Sequence, residues 1–193
     1  MQNLHIEQAS SQDQEFLRRV KAAAGPQIDR CYQCYTCSNS CPIAYALDYF
    51  PNQLLHMVRL GLKEKVLRSK TIWLCVSCET CATRCPNEIN LVRLMDVLRR
   101  ESLKAEVEIG VNEVFQFHRL FIKEIQKRGR IFELPFLMRY KLKMGGHLSV
   151  KSIYKDGVLG FKMLFKGKFK VLHNKFERQK EIKDICRKIL SES

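Results

Sequence analysis

No stretch of this sequence is apolar for long enough to cross a bilayer, which takes about 20 consecutive apolar residues. A helical membrane-spanning protein is therefore excluded, although a membrane-associated partner is not. The first residues, Met1-Gln2-Asn3-Leu4-His5-Ile6-Glu7, have neither the basic nor the apolar segment of a secretory leader. Nothing directs the chain to an oxidising compartment, so disulfides are not expected and a cytoplasmic location is. Apolar residues nowhere alternate convincingly at a period of two, which argues against strands. Cysteine is confined to two dense runs, with Cys186 as the single exception.

Those two runs carry most of the information. The first is Cys31, Cys34, Cys37 and Cys41, followed by Pro42; the second is Cys75, Cys78, Cys81 and Cys85, followed by Pro86. Both read CxxCxxCxxxCP, the spacing with which bacterial-type dicluster ferredoxins hold cubane iron–sulfur clusters. Three thiolates two residues apart wrap one face of a cluster from a tight loop, whose amides donate to sulfur. The proline after the fourth cysteine turns the chain away from that loop. In two-cluster ferredoxins this fourth cysteine serves the other cluster. The expected sets are Cys31, Cys34, Cys37 and Cys85 for one [4Fe-4S] cluster, and Cys75, Cys78, Cys81 and Cys41 for a second. Two structural zinc sites are the alternative, since four cysteines also suit a tetrahedral ion. Zinc ribbons, however, separate two CxxC pairs by a longer stretch, whereas each run here packs all four cysteines together.

The length of 193 residues allows one or two modest domains, and the net charge of +14 is unevenly spread. Residues 1–109 carry 14 basic and 12 acidic side chains, whereas residues 110–193 carry 20 and 8. A strongly basic tail suits nucleic acid, an anionic lipid surface or an acidic redox partner. Beside cluster motifs, docking on a protein partner is the expectation, and nucleic acid is not expected.

Helical periodicity runs through the rest. Ser11 with Gln14 forms a capping-box pattern ahead of Phe16, Leu17, Val20 and Ala24, and Gly25 ends that run. Between the cysteine runs, Pro51 opens a helix with Leu54, Leu55, Val58, Leu62 and Val66 at steps of three and four. Leu91, Leu94, Met95 and Leu98 repeat the pattern, as do Val111, Val114, Phe115, Phe121, Ile122 and Ile125 up to Gly129. Small bacterial ferredoxins surround this motif with short strands and a shorter connector, so the fold class expected here is all-α. The expected domains are a helical lead-in over 1–26, a dicluster domain over 27–105, and a basic helical extension over 106–193.

Taken together, the first motif, the helix opened by Pro51 with Gly61 near its end, and the Trp73-to-Pro86 segment resemble the α-helical ferredoxin domain. More closely they resemble the C-type subunit of soluble heterodisulfide reductases, over roughly residues 12–140 and including the stretch from Gly129 and the segment from Met144. The resemblance implies a small electron-relaying subunit with two [4Fe-4S] clusters and no catalytic residue of its own. Its implied partners are the A-type subunit, which contains a flavin and clusters, and the cysteine-rich B-type subunit, which cleaves a disulfide substrate; in methanogens this is the mixed disulfide of coenzymes M and B. Iron–sulfur subunits of anaerobic glycerol-3-phosphate, glycolate, lactate and succinate oxidoreductases share the domain. They often fuse it to cysteine-rich or [2Fe–2S] domains, whereas outside the two motifs only Cys186 remains here, too few for a further cluster.

Among lesser candidates, Cys186 sits in a helical run and reads as a packed thiol. His56, His118, His147 and His173 stand apart from both runs and read as surface or cap residues. Tyr32, Tyr35, Ile43, Trp73 and Val76 lie beside cluster cysteines, where apolar cover would limit water and shift a potential. Arg84, next to Cys85, is a candidate for stabilising a reduced cluster.

Overall fold

A computed structural model describes residues 11–144 and 179–191, and the chain divides at 114/115 into two compact units. Among the described residues there are helices and no strands, so the fold is all-α. The His5, His147 and His173 positions, the glycines after Met144, and the Ser11 side chain lie outside the residues described.

Helix α1 (Ser11–Ala24) buries Phe16 and Val20 on one face and packs against α7 (Leu91–Lys104), which buries Leu91, Leu94, Met95 and Leu98. Each such side chain contributes about 1.5–3 kcal/mol by leaving water. Glu101 of α7 is buried, and its Oε2 accepts from Arg19 Nε at 3.1 Å and Nη2 at 2.9 Å, pinning the register of the pair. A short 3-10 turn, Pro26–Arg30, then leads into the first cysteine run.

The connector between the runs departs from the single long helix that its periodicity predicts. It forms α3 (Pro51–Arg59), α4 (Lys63–Leu67) and α5 (Lys70–Leu74). The break falls at Gly61, whose φ of 73° is left-handed and closes α3 through its amide to the Val58 carbonyl. Leu54, Leu55, Val58, Val66 and Leu67 are all buried, so the apolar pattern continues across a break in the backbone. Ser102 of α7 donates to the Leu67 carbonyl at 3.1 Å, holding α4 against α7.

The short helices α2 (Thr36–Asn39) and α6 (Thr80–Thr83) follow the second cysteine of each motif, carry the third, and pack against each other. Each also packs on a longer helix, α2 on α3 and α6 on α7. The two halves of the first unit thus repeat one plan.

In the second unit, α8 (Asn112–Arg128, whose first residues belong to the first unit) and α9 (Glu133–Met144) carry an aromatic group. Phe117 meets Phe136 edge-on at 5.1 Å and Tyr140 at 5.6 Å. Buried Glu124 pairs with Arg128 and Arg139. Helix α10 (Gln179–Ser191) exposes Ile185 and Ile189 and holds Cys186 half-buried, apart from the cysteine runs in the chain. His56 and His118 are exposed. No helix of the described residues is long and apolar enough to cross a membrane.

Candidate metal centre

Each cysteine run begins where a helical turn ends in extended backbone: Cys31 caps the 3-10 turn with φ −66° and ψ 121°, and Cys75 caps α5 with φ −55° and ψ 119°. Beyond it the two loops have the same conformation. Gln33 and Tyr35 take φ of 61° and 63°, and Ser77 and Glu79 take 53° and 61°. A non-glycine residue in this region is held against a cost of about 1–2 kcal/mol, and each loop bears it twice. Left-handed residues at alternate positions belong to the turn conformations that gather backbone N–H groups around an anion.

The eight cysteines fall into two apolar recesses. One encloses about 310 Å³, open mouth included, and is lined by Cys31, Cys34, Cys37 and Cys85 with Leu55, Pro86, Ile89 and Leu91. The other encloses about 440 Å³ and is lined by Cys41, Cys75, Cys78 and Cys81 with Pro42, Ile43, Leu47, Val92 and Met95. Each therefore gathers three cysteines of one run and the fourth of the other. The Asn87 side-chain amide donates to the Arg30 carbonyl, fastening the end of the second run to the start of the first. All nine cysteines are free thiols.

Four sulfurs spread around an apolar recess suit a multi-atom soft centre. A single zinc ion would instead draw its four donors to about 2.3 Å from one point. The donor set fits a [4Fe-4S] cluster in each recess.

Electrostatics divide the cysteines by depth. Cys34 and Cys78 are exposed, and each Sγ lies 3.4 Å from a threonine hydroxyl, Thr36 Oγ1 and Thr80 Oγ1. As a thiol the sulfur donates, and as a thiolate it accepts. These threonine side chains and amides hold both thiols below the ordinary range. Burial instead pushes the Cys37 and Cys41 thiols up, and that of Cys81 up to about 12. A bound cationic centre would oppose this effect of burial by stabilising the thiolates.

Tyr35 lines the first recess and Val76 the second, although 51% and 62% of their surfaces remain exposed, and Tyr32, 61% exposed, reaches Cys34 with its side chain. Further cover comes from Leu55, Ile89 and Leu91 on one side and Leu47, Val92 and Met95 on the other. Trp73 is buried but lines neither recess, whereas Ile43 lines the second. Arg84 is exposed, and its side chain makes no hydrogen bond among the described residues.

Two other arginines hold the loops. Arg59 Nη1 donates to the Cys31 carbonyl at 2.9 Å, and Arg99 donates to the Cys75 carbonyl and, at 2.6 Å, to that of Ile72. Neither is signalled by local sequence, because each acts across more than 20 residues on a helix whose arginines read as solvated. The Thr36 and Thr80 contacts were discoverable by aligning the two runs position by position.

Comparison with known proteins agrees with this geometry. Residues 27–89 match the family described as "4Fe-4S dicluster domain". The C-type subunit of the H(2):CoB-CoM heterodisulfide,ferredoxin reductase of Methanothermobacter marburgensis is 36% identical over 93 residues, covering 48% of this chain and 50% of that protein. The second iron–sulfur C-type subunit of the CoB–CoM heterodisulfide reductase of Methanocaldococcus jannaschii is 42% identical over 72 residues, 37% of this chain and 38% of that one. A protein of Archaeoglobus profundus described as like the heterodisulfide reductase C-type subunit is 29% identical over 97 residues, 48% and 52% of the two chains. At most, the chain spans about half the length of these curated relatives. Residues 27–89 thus match the 4Fe-4S dicluster domain family, in a chain similar over about half its length to C-type subunits of heterodisulfide reductases.

Proposed function

We propose that Cys31, Cys34, Cys37 and Cys85 hold one [4Fe-4S] cluster and that Cys75, Cys78, Cys81 and Cys41 hold a second. The chain is then the non-catalytic electron-transfer subunit of a heterodisulfide reductase-type complex, between a flavin-containing subunit and a disulfide-reducing, cysteine-rich one. The observation that carries this reading is the gathering of the eight cysteines into two recesses, each drawing its fourth sulfur from the other run.

When bound, the clusters supply one-electron chemistry with little rearrangement of their surroundings. The chain's residues do the rest. Shared ligands tie the loops together, and the packing of α2 on α6 sets their spacing. Leu55, Ile89, Leu91, Val92 and Met95 exclude water from the inner faces, while exposed Cys34 and Cys78 leave one edge of each recess open to a partner. A reducing cytoplasm suits nine cysteines none of which is paired in a disulfide. The basic extension over residues 106–193 docks on an acidic partner surface.

Mild anaerobic purification from the native host tests this. The expected result is co-isolation with a flavin-bearing and a cysteine-rich subunit, and a chain that reproducibly emerges alone contradicts it.

A further inference from the structure

The two cysteine loops repeat each other position by position, so the places where they differ act on one recess and not on the other. Thr36 and Thr80 correspond and stand at the same 3.4 Å from Cys34 and Cys78. Gln33 corresponds to Ser77, and here the loops part. Gln33 Nε2 donates to the Asn52 carbonyl at 3.2 Å and lies 3.5 Å from Cys31 Sγ. The orientation of this amide is fixed from behind: Asn52 Nδ2 donates to Gln33 Oε1 at 2.8 Å, and Asn52 Oδ1 accepts from Ser38 Oγ at 2.5 Å. Asn52 and Ser38 are 1% and 5% exposed, so the network is built into the core and presents a donor to the sulfur. Ser77 is exposed and offers no hydrogen bond to a cysteine among the described residues.

Charge differs in the same sense. Tyr35 in the first loop is replaced by Glu79 in the second, placing a carboxylate beside Cys78. Arg59 holds the Cys31 carbonyl with no carboxylate paired to it among the described residues, whereas Arg99, holding Cys75, is paired through Nη1 with Asp96 at 2.9 Å. Arg84 and Glu88, on either side of Cys85 in the sequence, are both exposed and carry opposite charges.

An added electron is stabilised by donors to sulfur and by uncompensated positive charge. Building on the proposed function, we infer that the two clusters have unequal reduction potentials, that on Cys31, Cys34, Cys37 and Cys85 being the higher, with Gln33 the positioning residue that raises it and the Arg99–Asp96 pair keeping the other low. An electron from a low-potential one-electron donor at the Cys78 edge then runs downhill to the first loop. It leaves from the Cys34 edge to a one-electron acceptor, and no proton or bond changes hands.

The test is a potentiometric titration of the anaerobically purified full chain with dithionite, followed by electron paramagnetic resonance, with iron and sulfide measured on every variant. The wild type should show two separate one-electron steps. Gln33→Leu should lower the upper step and leave the lower in place. Asp96→Asn, at a side chain 55% exposed and outside the core, should raise the lower step and leave the upper. Coincident steps in the wild type overturn the inference, as does a Gln33→Leu shift confined to the lower step or an unmoved lower step in Asp96→Asn. A wild-type chain lacking iron and sulfide defeats the proposed function as well, whereas two clusters titrating together defeat this inference alone.

Discussion

Thr71 Oγ1 stands 2.7 Å from Asp48 Oδ1, fastening the segment after the first cysteine run to the helix that delivers the second. Asp48 also accepts from the amides of Lys70 at 2.8 Å and Thr71 at 2.9 Å and from Ser69 Oγ at 2.8 Å. Its carboxylate sits at the start of α5, which ends at Cys75, so the placement of one motif depends on a residue that follows the other.

Asp48→Ala should therefore destabilise the protein by about 1–3 kcal/mol at neutral pH, through loss of charge-assisted hydrogen bonds. Burial alone would push the Asp48 carboxyl up, but hydrogen bonds from Thr71, Lys70 and Ser69 outweigh it and hold the group below its ordinary 3.8. A depressed folded-state value means that the contribution is complete above 3.8 and is lost as pH falls through the folded value. Urea unfolding of variant and parent should show a constant gap at neutral and mildly acidic pH that narrows only below about pH 3.8.

Arg19→Met should cost about 2–3 kcal/mol, because it leaves the Glu101 carboxylate, with a side chain only 10% exposed, without its main partner. Thermal unfolding checks this. Glu101→Gln, which removes the stranded charge, should recover part of the loss when combined with it.

Gly110 is pressed against the α4–α5 connection. A Cβ there would lie 2.7 Å from the Arg68 carbonyl oxygen and 3.0 Å from the Lys70 amide nitrogen, both backbone atoms that cannot swing aside. Gly110→Ala should destabilise by about 1–3 kcal/mol through forced backbone displacement, read as a lower urea midpoint.

Exchange of the fourth ligand gives a paired prediction. Cys41→Ser should perturb the electron paramagnetic resonance signal of the cluster held by Cys75, Cys78 and Cys81, and Cys85→Ser that of the cluster held by Cys31, Cys34 and Cys37. The reverse pattern would mean that each run keeps its own fourth cysteine.

Much of this architecture is legible in the chain because its signals are local. The 3.6 periodicity through Phe16 and Val20, and through Leu91 to Leu98, reports helices whose buried faces are set by residues three and four apart. The same periodicity misleads from Leu54 to Val66, where burial continues across the left-handed Gly61 and the backbone does not. Adjacency to a cysteine places Tyr35 and Val76 on the recess walls but does not report how much of each stays exposed, because a tight surface loop keeps its side chains partly in water. Arg59, Arg99, Asn52 and Asp48 left no local trace. Each acts on backbone or side chains brought near only by folding.

Iron and acid-labile sulfide analysis of the anaerobically purified chain tests the central claim most directly. The account predicts two four-iron clusters per chain, with sulfide equal to iron. Zinc bound without sulfide would contradict it.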